Sequence, residues 1–166
     1  LGDLGKVLAE HGLMMGHDPW SVPIATLGGA ISTNGVGYLA AAYGPIGNQV
    51  RGLEVVLPNG HILTTPAVPK SSVGPDLNHL FIGSEGVLGI ITKATLKVVP
   101  IPESRSFSTI QFDSFDRGFE SVAELVALGV RPSLVDLAEE RGKPVLLYLM
   151  YEGYREEVVA RQRRSL

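Results

Sequence analysis

Cysteine is absent from all 166 residues. That excludes a disulfide scaffold, a thiolate metal site and a cysteine nucleophile. Basic charge is scarce as well. Fourteen Lys and Arg against 17 Asp and Glu leave a net charge of -3, so no nucleic-acid partner is expected. The four histidines, at 11, 17, 61 and 79, form no His-x-His or His-x-x-x-His pair, and no metal site is assigned. No Gly-x-Ser-x-Gly elbow and no Gly-Lys-Ser/Thr phosphate loop occur, so neither of those chemistries is available. The opening residues, Leu1-Gly2-Asp3, have no Met and no signal-peptide pattern. A fragment of a longer chain, located in the cytoplasm, is the expectation.

Charge is missing altogether between Asp18 and Arg51, a run of 32 residues. Its length would span a bilayer. Pro19, Pro23 and Pro45, together with glycines at 28, 29, 35, 37, 44 and 47, rule out one uninterrupted apolar helix. Two readings remain for it. Glycine lets another group approach the backbone closely, and hydroxyls and amides supply hydrogen bonds without a charge to desolvate. The run therefore suits backbone wrapped around a large, flat, polar ligand. It equally suits a tightly packed bend between core strands.

What is present predicts an α+β chain in two parts. Residues 1–100 hold 16 of the 20 glycines, whereas the last 66 hold most of the charge. The boundary is placed at Pro100-Ile101-Pro102, giving domains 1–102 and 103–166. The spacing of Leu4, Val7 and Leu8 predicts a helix from Asp3 to His11. Strands are predicted at 53–57 and 61–65 around a Pro58-Asn59-Gly60 turn, and a short helix over 77–82. A strand over 89–99 is expected to bury Ile90, Ala94, Leu96 and Val98. The second part reads as β-α-β-β-α. Its first helix, capped by Ser114, carries the stripe Phe115, Phe119, Val122 and Val126. Val145 to Tyr151 reads as its central strand. His17 lies nearest the uncharged run and is expected to be a loop histidine with a satisfied hydrogen bond. The basic residues of the closing helix read as a solvated face.

Three motifs then fall in order. They are Ala25-Thr26-Leu27-Gly28-Gly29-Ala30-Ile31-Ser32-Thr33-Asn34-Gly35-Val36-Gly37, Gly52-Leu53-Glu54-Val55-Val56-Leu57-Pro58-Asn59-Gly60, and Gly83-Ser84-Glu85-Gly86-Val87-Leu88-Gly89-Ile90-Ile91-Thr92, with Tyr43-Gly44 between the first two. In this spacing they resemble the FAD-linked oxidases of the vanillyl-alcohol oxidase (p-cresol methylhydroxylase) family. Pro69-Lys70-Ser71-Ser72-Val73-Gly74-Pro75-Asp76 is further similar to alkyldihydroxyacetonephosphate synthases. D-lactate, glycolate and D-2-hydroxyglutarate dehydrogenases share the other motifs equally well.

The resemblance implies the second half of an FAD-binding domain over 1–102 and the start of an antiparallel cap over 103–166. It implies FAD as cofactor and assigns cofactor-binding roles to Trp20, Ser21, Thr26, Gly28, Gly29, Ser32, Thr33, Asn34, Gly35, Glu85, Gly86, Gly89, Ile90 and Ile91. Fixed N–H donors along such segments stabilise the negative charge of a reduced flavin. The family's pyrophosphate loop has no counterpart upstream of Gly12, and its catalytic residues lie mostly beyond Leu166, so no catalytic residue is named. The implied reaction is hydride acceptance from a hydroxylated carbon such as that of a 2-hydroxy acid. The alternatives are an alkyldihydroxyacetonephosphate synthase-like exchange and a non-catalytic remnant or interaction subunit. A small-molecule substrate is the expected partner, with peripheral membrane association and a homodimer left open.

Overall fold

Every strand of the computed structural model pairs antiparallel. The structure describes residues 1–69 and 72–165. Lys70 and Ser71 of the Pro69–Asp76 motif, and Leu166, lie outside the described residues. The chain divides into two compact units, residues 1–101 and 102–166.

The first unit opens with helix α1 (Gly2–Glu10) and a two-residue strand β1 (Leu13–Met14). Short helices α2 (Leu27–Ser32) and α3 (Ala40–Tyr43) follow, then one turn of 3-10 helix at Ile46–Gln49. Strand β2 (Val50–Val56) is central to a three-stranded sheet with β3 (Ile62–Thr64) on one side and β4 (Ile90–Leu96) on the other. The β2–β3 connection is the tight turn expected at Pro58-Asn59-Gly60, closed by Leu57 N–H to the His61 carbonyl at 2.8 Å. Helix α4 (Asn78–Phe81) is shorter than its predicted span, and β5 (Val99–Pro100) pairs back onto β1. Ile31, Ile46, Val50, Leu53, Val55 and Phe81 form the core of this unit.

One face assignment changes. Glu54 pairs with Lys93, but Val55 pairs with Ile91, so Thr92 is an extra residue on β4. This β-bulge breaks the alternation of side chains. Ile91 joins Ala94 and Leu96 against the core, whereas Ile90, predicted to be buried, is 69% exposed. Thr92 fixes the bulge by donating from Oγ1 to the Glu54 carboxylate at 2.9 Å and to the Glu54 carbonyl at 3.2 Å.

The second unit is a three-stranded sheet in the order β6–β8–β7, from β6 (Ser104–Phe112), β7 (Leu134–Ala138) and β8 (Val145–Gly153). Strand β8 is central, as its unbroken apolar run predicts. Leu147, Leu149 and Tyr151 on one of its faces share a core with Leu125 of helix α5 (Phe115–Ala127) and Val158 of helix α6 (Arg155–Ser165). The cap on α5 is as expected: Ser114 Oγ accepts from Arg117 N–H. The buried stripe is not. Gly118 and Leu125 are buried with Val122 packed beside them, whereas Phe119 and Val126 are 60% and 69% exposed. Gly118 explains the rotation, because a Cβ there would come within 2.6 Å of Leu137 Cδ1. The helix turns its smallest residue to the sheet and sits close.

Among the described residues, no helix is long and apolar enough to cross a membrane.

The bulge makes neighbouring isoleucines unequal. Ile91→Ala should cost about 1 to 3 kcal/mol, while Ile90→Ala should cost less than about 0.5 kcal/mol. Urea unfolding midpoints of the two variants check the difference.

A candidate flavin site around a six-residue helix

Helix α2 organises the site, and its ends are defined by sequence. At its start Thr26 is extended (φ -86°, ψ 156°), and its Oγ1 accepts from Gly29 N–H at 3.0 Å. This is an N-cap, which satisfies one of the orphan donors of the first turn. At its end Asn34 adopts φ 48°. Gly35 N–H reaches the Ala30 carbonyl and Asn34 N–H the Ile31 carbonyl, each at 3.0 Å. That pair of bonds is a Schellman motif with asparagine at the left-handed position. The Asn34 side chain accepts from Gly47 N–H at 3.1 Å, fixing the loop after the helix.

The same helix end receives the second glycine motif. Gly83 N–H donates to the Ile31 carbonyl at 3.1 Å, and Glu85 N–H to the Ser32 carbonyl at 2.8 Å. Glu85, at φ 52°, is the second non-glycine residue in the left-handed region. The two sequence-distant segments are therefore joined through backbone hydrogen bonds to α2.

A groove of about 370 Å³ runs along the other flank of α2. It gathers Trp20, Ser21, Thr26, Gly29, Thr33 and Gly35, six of the predicted site residues, beside His17 and Val36. Trp20 and Val36 are 78% and 70% exposed. Ionised side chains are missing from the lining among the described residues. The remaining predicted residues do not line it. Gly28 packs against the Ile91 carbonyl, where a Cβ would stand 3.2 Å away. Ser32 and Asn34 serve the backbone contacts above. Glu85, Gly86, Gly89, Ile90 and Ile91 lie in the turn and strand beyond the helix end, with Val87, Leu88 and Ile90 presenting exposed apolar surface.

The glycines divide between the two readings of the uncharged run. A Cβ at Gly37 would meet the Asp18 backbone at 2.7 Å, and one at Gly29 would meet Thr26 Oγ1 at 2.9 Å. Gly37 serves packing within the chain, whereas Gly29 and Gly35 lie on the groove wall.

His17 departs from the expected loop histidine with a satisfied hydrogen bond. It is 3% exposed, and its Nδ1 is buried with no hydrogen-bond partner. Burial pulls its pKa down, with Asp18 opposing. The imidazole is therefore kept neutral at pH 7. The sequence carries only an indirect signal for this, namely a histidine at the border of a long uncharged run.

Residues 1–66 match the FAD binding domain family. The chain is 37% identical over 162 residues to an uncharacterized FAD-linked oxidoreductase of Escherichia coli K12, covering 90% of this chain and 33% of that protein. It is 36% identical over 148 residues to glycolate oxidase subunit GlcD of Bacillus subtilis, covering 89% of this chain and 31% of the relative. A solved alkyldihydroxyacetonephosphate synthase superposes with a TM-score of 0.87 over 99% of this chain and 35% of that one, at 23% identity. The fold is shared with that structure. The chain spans about a third of the length of the curated relatives it matches.

The groove fits the ring systems of FAD. It offers one exposed aromatic face at Trp20, apolar surface at Val36, three hydroxyls at Ser21, Thr26 and Thr33, and the imidazole of His17, with no charge to desolvate. A diphosphate finds no cationic partner in that lining.

His17 also sets a pH dependence. Its folded pKa lies below the ordinary 6.5, so the unfolded chain binds more protons in the window just below that value. Stability then rises with pH through this window and is lost as pH falls below about 6.5. Urea midpoints of the wild type should fall between pH 7.5 and pH 5.5, and His17→Asn should remove part of that fall.

Proposed function

We propose that this chain, whose residues 1–66 match the FAD binding domain family and which is similar to FAD-linked oxidoreductases, forms part of a flavoenzyme that oxidises a small hydroxylated acid. The groove beside α2, lined by Trp20, Thr26, Thr33 and Gly35, is the observation that carries the proposal. Residues 1–101 supply the flavin-holding portion, and residues 102–166 belong to the cap domain. A cytoplasmic location accompanies this reading.

When bound, FAD supplies the acceptor for a hydride leaving the hydroxylated carbon of the substrate. The protein's part is holding and orienting. Trp20 offers its indole face for stacking, which accounts for an indole left 78% exposed. Thr26 Oγ1 is already committed as the acceptor of the helix cap, but its hydroxyl proton remains to be donated into the groove. Thr33 Oγ1 donates back to the Gly29 and Ala30 carbonyls, each at 3.2 Å, leaving its lone pairs for a ligand donor. The hydrogen bonds binding the 83–85 turn to α2 hold the groove's supporting helix in place. A fixed framework of this kind stabilises developing charge without reorganising during the reaction.

The similarity to the Bacillus subtilis glycolate oxidase subunit favours a 2-hydroxy acid as substrate. The likeness of fold to the alkyl synthase keeps a flavin-dependent exchange without net oxidation as the second reading. Peripheral membrane association and homodimer formation are further proposals to be read from sedimentation and vesicle binding.

Trp20 is the only tryptophan in the chain, so its emission reports on the groove alone. Adding FAD to the full chain should quench that emission by more than half, with a visible flavin band retained after gel filtration. Anaerobic bleaching of the band by glycolate supports the 2-hydroxy acid assignment. A retained band that no 2-hydroxy acid bleaches moves the assignment to the alkyl exchange. A colourless folded protein whose Trp20 emission ignores FAD refutes the flavin reading.

A further inference from the structure

The imidazole of His17 has two nitrogens in different surroundings. Nδ1 is buried and has no partner. A buried N–H donor without an acceptor is costlier and rarer than an unpaired acceptor. In the neutral ring one nitrogen carries the proton and the other accepts. The surroundings of Nδ1 therefore place the proton on Nε2.

The Nε2 edge of the ring faces Gly35, which like His17 lines the groove. It stands 3.6 Å, and Cε1 3.4 Å, from the point a Cβ would occupy at residue 35. Residue 35 is glycine, so nothing projects over that edge of the ring. Gly35 has no positive φ that would demand glycine. Neither does its own hydrogen bonding, since its N–H and C=O are taken by the Ala30 carbonyl and Ile46 N–H, bonds any residue could make. What glycine provides at this position is the absence of a side chain over the imidazole edge.

We propose that His17 is held as the Nε2–H tautomer and donates that hydrogen bond to an acceptor, a carbonyl oxygen or unprotonated ring nitrogen, on a heteroaromatic ring of the bound FAD. This rests on the flavin reading above and assigns His17 as a positioning residue for the cofactor. Its neutrality matches the groove, which has no other ionisable lining residue among those described. Asp18 is the one charged group that acts on it, and burial outweighs that carboxylate.

The test is FAD affinity of the full chain, measured by Trp20 quenching, for wild type, His17→Phe, His17→Gln and Gly35→Ala. Phenylalanine keeps the ring and removes the donor. Affinity should fall by about tenfold or more, the fold-change expected when a ligand acceptor loses its partner. Glutamine presents an amide N–H near the Nε2 position and should stay within about threefold of wild type. Gly35→Ala covers the imidazole edge and should weaken binding with the thermal midpoint of the apoprotein unchanged.

A second readout is independent of folding differences among variants. The ¹⁵N shifts of the His17 ring, told apart from those of the other three histidines by their loss in His17→Phe, distinguish the two tautomers, and the Nε2–H resonance should move on adding FAD while Nδ1 stays that of an unprotonated nitrogen. A proton found on Nδ1, or a His17→Phe variant that binds FAD as tightly as wild type, overturns the inference while leaving the flavin reading intact. Failure of the wild-type chain to bind FAD at all overturns the flavin reading, and this inference with it.

Discussion

The carbonyls at the end of α2 hold the first unit's site together. Six residues make too short a helix to persist alone in water. It persists because its carbonyls are claimed from two directions. Asn34 and Gly35 bond back to Ile31 and Ala30, while Gly83 and Glu85, some fifty residues later in the chain, bond to Ile31 and Ser32. The Ile31 carbonyl serves both sets, and the Ile31 side chain is fully buried in the core of the unit. One residue thus anchors the helix to the hydrophobic core by its side chain and to the glycine turn by its backbone. The groove exists because that helix has a fixed flank.

This arrangement also accounts for the two strained backbones. Asn34 and Glu85 both sit at positive φ, at a cost that non-glycine residues rarely bear without reason. Both lie at the same junction. Asparagine tolerates the left-handed region and repays it through its side-chain bond to Gly47. Glu85 has no such side-chain bond among those described. The constraint on it is the backbone one, since its N–H must reach the Ser32 carbonyl.

Much of this was legible in the residues. Periodicity gave the helix at the amino end, the β2–β3 turn and the central position of β8, because each depends on local pattern or on an unbroken apolar run. The cap at Ser114 followed from residue chemistry. The misreadings share a cause: each depends on an atom from a distant part of the chain. Nothing near Ile90 announces that Thr92 will be bulged out against Glu54. Phe115, Phe119 and Val126 make a sound helical stripe, yet Gly118 is the residue that lets α5 approach Leu137. Of the hydroxyls, glycines and indole assigned to the cofactor over 20–35, six line one groove. The roles of Gly28 and Ile91 as packing partners, and of His17 as a buried ring, needed the tertiary structure.

The strand order of the second unit carries a consequence for how the chain acquires its shape. Strands β6 and β7 never touch as neighbours; each is paired to β8, which comes last. No local hairpin can seed the β6 side of that sheet. Ser104 must wait for Gly153 and Phe112 for Val145, so the strand made first stays without a partner until the final strand has been synthesised. Loop closure over that separation comes before any ladder bond to β6 rewards it. The interval leaves a nine-residue strand bare, and during it the nascent chain is most open to pairing with the wrong neighbour or to capture by a chaperone. Helix α5, which needs only local contacts and its own cap, can form throughout that interval and hold β6 and β7 near the geometry that β8 completes.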